Sequence, residues 1–406
     1  MVTKAVVAGL VSAGFLALVA CNSESSKTST DNNNNTEGLS AETKALGIEA
    51  VPASLSSTYS TALQFNRYTK VVAPNNKPIH IIAQDKLADN QIVRARAILN
   101  HYLTDLPGST FGSDKSSVAN KMAINGAVLL LLNGSDDGSN AATNLGGQPL
   151  YQNEIQVEGG TWYISQDYEQ HRDASFEEIL HMVHDYGIGV DQNSEFVGAV
   201  PGFQAEIRSA QITALNDKLW GGDANWITEL TAENSLSQEY LASVVDAYYG
   251  LWGAWTGSET HSMWGGYIAK TRAEMKGEDP LGAALMDNQF FHSYLTYNAR
   301  IDASFSGDFS LKFNPELGYT HHSQYLKDIT LTGNQASNVI VNHFDNNITG
   351  NSANNQVKFS GNSSQYSIDK KDDGTTTITD MVRDRDGYNT LNGIEQAVFI
   401  DSSISL

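Results

Sequence analysis

One stretch, residues 174–187 (Ala-Ser-Phe-Glu-Glu-Ile-Leu-His-Met-Val-His-Asp-Tyr-Gly), constrains the fold of this chain more than any other. As a helix, it places Glu177, His181 and His184 along one stripe, and Glu178 borders that stripe. Most of the intervening residues are apolar, so we expect the helix to be largely buried. Carboxylates and imidazoles one helical turn apart are the side chains with which a single helix binds a divalent metal.

The usual single-helix zinc signature, His-Glu-x-x-His, falls on this stretch with its first histidine replaced by Glu177. Glutamate is itself a zinc ligand, so we predict that Glu177 and His181 bind the ion and that Glu178 is the general base. Glu177 would also admit a harder ion such as manganese or iron. Two alternatives for the first ligand stay open: His184, one turn beyond His181, and His171 in the preceding loop.

A second glutamate-bearing helix is predicted further along the chain. The segment Gln238-Glu-Tyr-Leu-Ala242, which runs on to Tyr248-Tyr249, resembles the glutamate-bearing helix of the anthrax-lethal-factor-like zincins, where the family reads Glu-aromatic-x-Ala. The preceding order of strand, helix, strand, edge hairpin and motif helix is also similar to that family. The resemblance covers about residues 78–252 and implies a zincin metallopeptidase.

This resemblance implies a role for each candidate residue. Glu239 would be the third metal ligand, His181 the second and Glu178 the general base. Tyr248 would stabilise an oxyanion, and Glu154-Ile-Gln-Val-Glu158 would be the edge strand that pairs with an extended peptide substrate. The cofactor would be zinc or another divalent transition metal, and the substrate a peptide or protein.

Other acidic and imidazole side chains compete for these roles. Glu206, on the helix before Glu239, is an alternative third ligand. Glu239 would also favour the helix dipole in a first turn without any metal. His261, His321 and His322 lie in polar segments, so we expect them to be exposed.

The remaining elements predict an α+β fold. Apolar runs predict strands at residues 78–83 and 127–132, and a Gly-Gly turn predicts a hairpin within residues 151–164. Ser175 is expected to cap the motif helix and Gly187 to end it. Further helices are predicted from apolar spacing over residues 89–102, 115–124, 203–215, 238–252 and part of 271–291.

After Tyr294 the chain changes to Thr, Ser, Asn and alternating apolar residues, which predicts a zincin-like domain over residues 41–295 and a β-rich domain over 296–406. Asn-apolar pairs recur there every nine residues, and the segment resembles haemolysin-type calcium-binding β-rolls. Asn replaces most of that family's Asp, so poor calcium binding is expected. The best oxygen donors for calcium are Asp384, Asp386 and Glu395. An Asn-rich β-sandwich with solvated acidic turns is the alternative.

The first residues predict a targeting segment. An apolar run ends in Leu18-Val-Ala-Cys21, which resembles a bacterial lipoprotein signal, and Cys21 is the only cysteine. Residues 1–21 are predicted to be the signal, with Cys21 lipidated, and residues 22–40 a flexible Ser/Thr/Asn-rich tether. A short transmembrane anchor is the alternative. We therefore expect a lipid-anchored protein of the bacterial cell envelope, at the outer membrane or cell surface.

Charge narrows the function further. The 406 residues include 25 Lys and Arg against 46 Asp and Glu, a net charge of −21. Nucleic acid is an unsuitable partner because it requires a basic patch. Two function classes stay open: a surface-anchored metal-dependent peptidase that uses metal-activated water, and a non-catalytic surface lipoprotein with a zincin-like core and an adhesive or calcium-linked β domain.

Overall fold

The computed structural model describes residues 38–166, 168, 172–191, 196–257 and 266–406. Within them the protein has an α+β fold, as the sequence predicted. The signal segment with Cys21, most of the predicted tether, His171 and His261 lie outside the described residues, so the inferences that rest on them stay predictions. None of the described helices combines the length and the apolar character needed to cross a membrane.

A four-stranded sheet in the order β1-β2-β3-β4 lies at the centre of the N-terminal half. Its strands are β1 (Phe65–Val72), β2 (Pro78–Gln84), β3 (Val128–Leu132) and β4 (Gln148–Tyr151). β1 and β2 are antiparallel, whereas β2, β3 and β4 run parallel. All residues of β3 are buried, as expected for a continuous apolar strand covered on both faces.

The N-terminal half contains ten α-helices among the described residues. They are α1 (Ala41–Ala45), α2 (Asp89–Leu103), α3 (Ser116–Ile124), α4 (Thr161–Ser165), α5 (Ser175–Val183), α6 (Pro201–Asn216), α7 (Ala224–Glu233), α8 (Leu236–Tyr248), α9 (Arg272–Glu278) and α10 (Pro280–Met286). Of these, α2, α3 and α5 contact this sheet. α2 and α3 supply the crossover that parallel pairing of β2 with β3 requires. The motif helix α5 packs against α2, β4 and α8, and His184–Ile188 continue it as a π-helical turn.

The hairpin predicted within residues 151–164 is wrong. Gln152–Glu154 forms a 3-10 turn, and Thr161–Ser165 is the helix α4. The Gly-Gly turn itself is present, since the Gly160 N–H donates to the Val157 carbonyl at 2.9 Å, but no strand follows it. Gly159 also permits a close approach, because a Cβ there would lie 2.6 Å from Cγ2 of Ile301. Tertiary packing therefore overrides the local strand pattern here.

The C-terminal half alternates between two sheets. Its strands are β5 (Leu295–Ile301), β6 (Gly307–Ser310), β7 (Leu326–Leu331), β8 (Ser337–Ile340), β9 (Asn346–Thr349), β10 (Gln356–Lys358), β11 (Tyr366–Lys370), β12 (Thr376–Asp380), β13 (Tyr388–Asn392), β14 (Gln396–Val398) and β15 (Ser403–Ser405). One sheet has the order β11-β12-β13-β9-β7-β5 and the other β15-β14-β10-β8-β6. A four-residue helix, α11 (Thr320–Ser323), precedes β7.

Residues nine positions apart in this repeat lie on successive strands that belong to alternate sheets. Two nine-residue steps bring the chain back beside itself, so Val357 pairs in parallel with Val339 and Lys358 with Ile340. Antiparallel strands close the end of each sheet, with β12 beside β13 and β15 beside β14. These strands pair with edges that would otherwise be free to continue the parallel array.

A buried ionic network joins the two halves of the molecule. Nε of Arg94 in α2 donates to Glu158 at 3.1 Å, and Nη2 donates to Asp173 at 2.7 Å. The hydroxyl of Tyr297 in β5 donates to Glu158 at 2.6 Å, and Nε2 of His322 in α11 lies 3.6 Å from the same carboxylate. The expected exposure of His322 is therefore wrong, since only 2% of this residue is exposed. The apolar core is likewise continuous across residue 295.

Candidate metal centre

The N-cap residue of the motif helix is Ala174, one residue before the predicted cap Ser175. Asp173 Oδ1 accepts the backbone N–H of Ser175 at 3.1 Å, and Ala174 occupies the N-cap position. The predicted capping role of Ser175 is therefore wrong, because Ser175 is the first helical residue. The apolar side of α5 is fully buried and consists of Phe176, Ile179, Leu180, Met182 and Val183. This burial holds the polar side of the helix in a fixed position.

The polar side of α5 meets α8. One ligand atom each from Glu177, His181 and Glu239 lies within 4.8 Å of the other two. Around a tetrahedral zinc with bonds of about 2.0–2.3 Å, ligand atoms are roughly 3–4 Å apart, so small side-chain adjustments would suffice to close the site. Across the part of the chain that the structure describes, no second group of three His, Cys, Asp or Glu side chains converges in this way.

His181 lies between two carboxylates. Its Nδ1 is 3.6 Å from Glu178 Oε2, and its Nε2 is 3.7 Å from Glu239 Oε1. Nε2 is buried and has no hydrogen-bond partner. Burial alone would lower the pKa of His181, but the charges of Glu239 and Glu178 outweigh it and raise the pKa to about 10. A cation at Nε2 would satisfy both the orphaned nitrogen and the surrounding negative charge.

Glu178 has a second partner that sequence reasoning missed. Gln148, the first residue of β4, donates Nε2–H to Glu178 Oε2 at 2.6 Å. The bond orients the carboxylate of the predicted base while the side chain stays partly accessible. Gln148 has no motif around it, and only the packing of β4 on α5 brings it here.

Arg172 is the second residue that the sequence did not reveal. Its Nη1 donates to Glu177 Oε2, and its Nη2 lies 3.7 Å from Glu178 Oε1. It precedes α5 by three residues, so its position follows from the start of that helix. The guanidinium therefore contacts both the predicted first ligand and the predicted base.

Asp246 is the second acidic residue of α8 and lies beside this group. It is seven residues after Glu239, a spacing that puts both side chains on the face of α8 toward α5. Burial and the nearby carboxylate of Glu177 raise the pKa of Asp246 well above its ordinary range, and Oδ1 has no hydrogen-bond partner. Sequence analysis missed Asp246, although its seven-residue spacing from Glu239 could have found it.

Among the described residues, the alternative ligands His184 and Glu206 do not join the group. His184 is buried, and its Nε2 contacts Gln204 Oε1 at 2.5 Å, while Gln204 donates in turn to Ser237. Burial lowers the pKa of His184 to about 4, so it is neutral at physiological pH. Glu206 is exposed on α6. Glu239 is therefore the acidic residue that α8 contributes to the group.

Tyr248, to which the resemblance gave an oxyanion-stabilising role, lies at the end of α8 and contacts Arg272. Its ring centroid is 3.6 Å from the guanidinium carbon of Arg272, which also lies 3.8 Å from the ring of Tyr325. Arg272 Nε donates to the carbonyl of Tyr248 at 2.9 Å. The structure thus shows Tyr248 stacked on a cation.

The substrate-binding edge also differs from expectation, because residues 154–158 do not form a strand. The edge strand beside α5 is β4. Within β4, Pro149 has no N–H, and Tyr151 donates its N–H to Glu154 Oε2 at 3.2 Å. An extended chain alongside β4 would therefore find few free donors.

The three acids proposed for calcium each have a protein partner. Asp384 is exposed and lies 3.3 Å from Arg383. Asp386 is buried, and its Oδ2 accepts from Ser360 N–H and the Tyr366 hydroxyl, both at 2.6 Å; Glu395 accepts the N–H of Asn355 at 2.6 Å. They do not converge as the Glu177 group does.

Asparagine amides bridge the turn between β8 and β9 to the preceding coil. Asn342 donates to the carbonyl of Leu326 at 2.9 Å, and Asn346 donates to that of Lys327 at 2.9 Å. Asn346 also donates to Asn342 Oδ1 at 3.0 Å. A neutral amide thus links backbone carbonyls here, where the resembling family uses a cation.

The turn between β9 and β10 repeats this arrangement. Asn351 donates to the carbonyl of Gln335 at 2.9 Å, and Asn355 donates to that of Ser337 at 2.9 Å. Asn355 also donates to Asn351 Oδ1 at 3.0 Å. The Asn-x-x-x-Asn spacing in the sequence is therefore a structural hydrogen-bonding motif.

Comparison with known proteins found no matching family model, no matching curated protein and no matching solved structure.

Proposed function

We propose that the protein is a metal-dependent hydrolase with a zincin-like core that cleaves peptide bonds. The observation that carries this proposal is the convergence of Glu177, His181 and Glu239 from two packed helices, with Nε2 of His181 buried and lacking a hydrogen-bond partner. Two carboxylates and one imidazole suit zinc, and they suit manganese or iron as well.

The side chains around the group have distinct roles in this proposal. When bound, the ion would polarise the scissile carbonyl and activate a water. Glu178, oriented by Gln148, would accept the proton of the attacking water and pass it to the leaving amine. Glu177, His181 and Glu239 would hold the ion, and the partly exposed side of Glu178 would face the substrate.

The peptide substrate and the cellular location rest on the sequence. β4 borders α5 and its Gln148 contacts Glu178, so a peptide beside β4 would pass close to Glu178, although it would find few free backbone donors on that edge. The lipoprotein signal supports a lipid anchor on Cys21 in the bacterial cell envelope. A Cys21→Ser variant that partitions into the membrane fraction with an unchanged apparent mass would contradict the anchor.

Metal analysis combined with a peptide library tests the hydrolase. We expect about one transition ion per chain and peptide cleavage that a chelator abolishes. Glu178→Gln should keep the ion and lose at least about 100-fold in kcat, because a general base contributes 10²–10⁴-fold. A folded wild-type protein that binds no transition ion would exclude the proposal.

A non-catalytic surface lipoprotein is the second candidate. Arg172 and His181 neutralise the acidic residues of the group with charges from the chain itself, as a structural ion-pair network does. This candidate predicts that His181→Ala and Glu178→Gln leave partner binding unchanged and that no peptide is cleaved.

A further inference from the structure

Arg172 places a positive charge beside Glu177, a proposed metal ligand, where it would repel a bound cation. Its guanidinium pairs with Glu177 and lies 3.7 Å from Glu178, and about a quarter of its side chain is exposed. Glu177 is the residue that stands where the zinc signature has a neutral histidine. The positive charge therefore lies beside the negative charge that this replacement adds.

We propose that Arg172 is a positioning residue that shares Glu177 with the ion and compensates for its charge, so that Arg172 and Glu177 together replace one neutral histidine. This inference rests on the proposed metal site. Glu177 has two carboxylate oxygens, and Arg172 engages Oε2. In the proposed site the other oxygen would be available to the ion, so Glu177 would contribute one ligand atom.

Electrostatics sets the expected direction. Arg172 and a divalent cation would both be attracted to Glu177 and would repel each other across it. At ion-pair distances, with an effective dielectric constant of about 20, one unit charge changes the affinity for a cation more than tenfold. Loss of Arg172 should therefore tighten ion binding, whereas loss of a residue with a merely structural role would weaken it or leave it unchanged.

The test measures Zn²⁺ and Mn²⁺ affinity of the full-length protein by competition with a chromogenic chelator. Arg172→Gln should bind the ions at least about tenfold more tightly than wild type, and Arg172→Lys, which keeps the charge, should stay within about threefold. The visible spectrum of the Co²⁺ form should change in Arg172→Gln, because both oxygens of Glu177 become available. Arg385→Gln removes a comparable arginine–carboxylate pair, with Asp380, and should change neither quantity.

A charge cycle supplies the second arm. Glu177→His alone removes the closer carboxylate partner of Arg172, and this variant should bind the ions about tenfold more weakly than wild type. Adding Arg172→Gln to Glu177→His removes the charge of Arg172 and should return the affinity to near the wild-type value. If Arg172→Gln does not fold, this rescue and the Arg172→Lys result decide the question, and lack of rescue overturns the proposal.

The outcomes separate this inference from the proposed function. Wild-type protein that binds no ion overturns both. Wild-type protein that binds one ion, together with an Arg172→Gln variant that binds it equally or more weakly, overturns only the role of Arg172.

Discussion

The two halves of the molecule bury polar side chains in opposite ways. Between α5 and α8, the buried groups are ionisable, and His181 Nε2 and Asp246 Oδ1 have no hydrogen-bond partner. In the turns after β8 and β9, the buried groups are neutral amides, and Asn355 donates to the carbonyl of Ser337 while its Oδ1 accepts an N–H. The first arrangement leaves ionisable groups without a partner, whereas among the asparagine amides of these two turns only the neutral Oδ1 of Asn346 lacks one.

This difference separates a ligand site from a structural site. A buried charge without a partner is costly, so its presence indicates that something else satisfies it or that it serves a reaction. A satisfied neutral amide contributes to stability at no such cost. On this basis the α5–α8 group is the candidate site, and the asparagine turns belong to the scaffold.

Loss of a ligand should produce the largest effect. His181→Ala and Glu239→Ala should each weaken transition-metal binding at least about 100-fold, because each removes one of three protein ligands. Glu206→Ala, an exposed acid on α6, is the matched control and should bind as wild type does. If His181→Ala bound transition metal as tightly as wild type, the α5–α8 group would not be a ligand site, and the contrast with the asparagine turns would not hold.

The affinity for the ion should depend strongly on pH. The ion must displace the proton of His181, whose pKa is about 10, so affinity should rise about tenfold per pH unit between pH 7 and 9.

The free energy of unfolding of the metal-free protein should instead fall as the pH rises. The folded pKa exceeds the usual 6.5, so this contribution is full below about pH 6.5 and is lost as the pH approaches 10.

Isothermal titration calorimetry in buffers of different ionisation enthalpy gives the number of protons released. His184→Gln should keep the same pH slope, because the pKa of His184 is about 4 and this residue carries no proton to displace. An affinity independent of pH in the wild type would contradict the assignment of His181 as a ligand.

An asparagine of the turns should affect stability alone. Asn355→Ala leaves the Ser337 carbonyl and the Asn351 N–H without their partner, so the free energy of unfolding should fall by about 1–3 kcal/mol in urea titration. Asn347→Ala, on the exposed side of β9, should change it by less than about 0.5 kcal/mol. A change in metal affinity in Asn355→Ala would show that the halves are coupled.

Calcium should have the smallest effect. In the His181→Ala background, excess calcium over EGTA should shift the melting temperature by less than about 1 °C, because amides already link the turns. An increase of several degrees would restore Asp386 and Glu395 as calcium ligands.

Local sequence patterns predicted most helices and strands correctly, but they predicted the tertiary contacts of individual residues less well. The apolar run of β3 was sufficient because this strand is buried on both faces, and the helical spacing of α5, α6 and α8 was sufficient because each helix buries a continuous apolar face. The strand predicted around residues 161–164 was wrong, because Trp162 and Tyr163 are buried on the helix α4, which no local rule favours. The burial of His322 was missed for a similar reason, because its contacts come from distant parts of the chain: Nδ1 lies 2.9 Å from the Tyr249 carbonyl, and Nε2 lies 3.6 Å from Glu158.

By itself, the sequence determined the α+β class and the candidate ligands Glu177 and His181, because residues one turn apart on a helix must share a face. It also pointed to Glu239, through a resemblance rather than through geometry. Tertiary structure alone decided that Glu239 meets His181, that His184 instead contacts Gln204, and that Arg172 and Gln148 complete the surroundings. The physical reason is that helix periodicity is local, whereas the approach of α8 and β4 to α5 depends on how the whole apolar core packs.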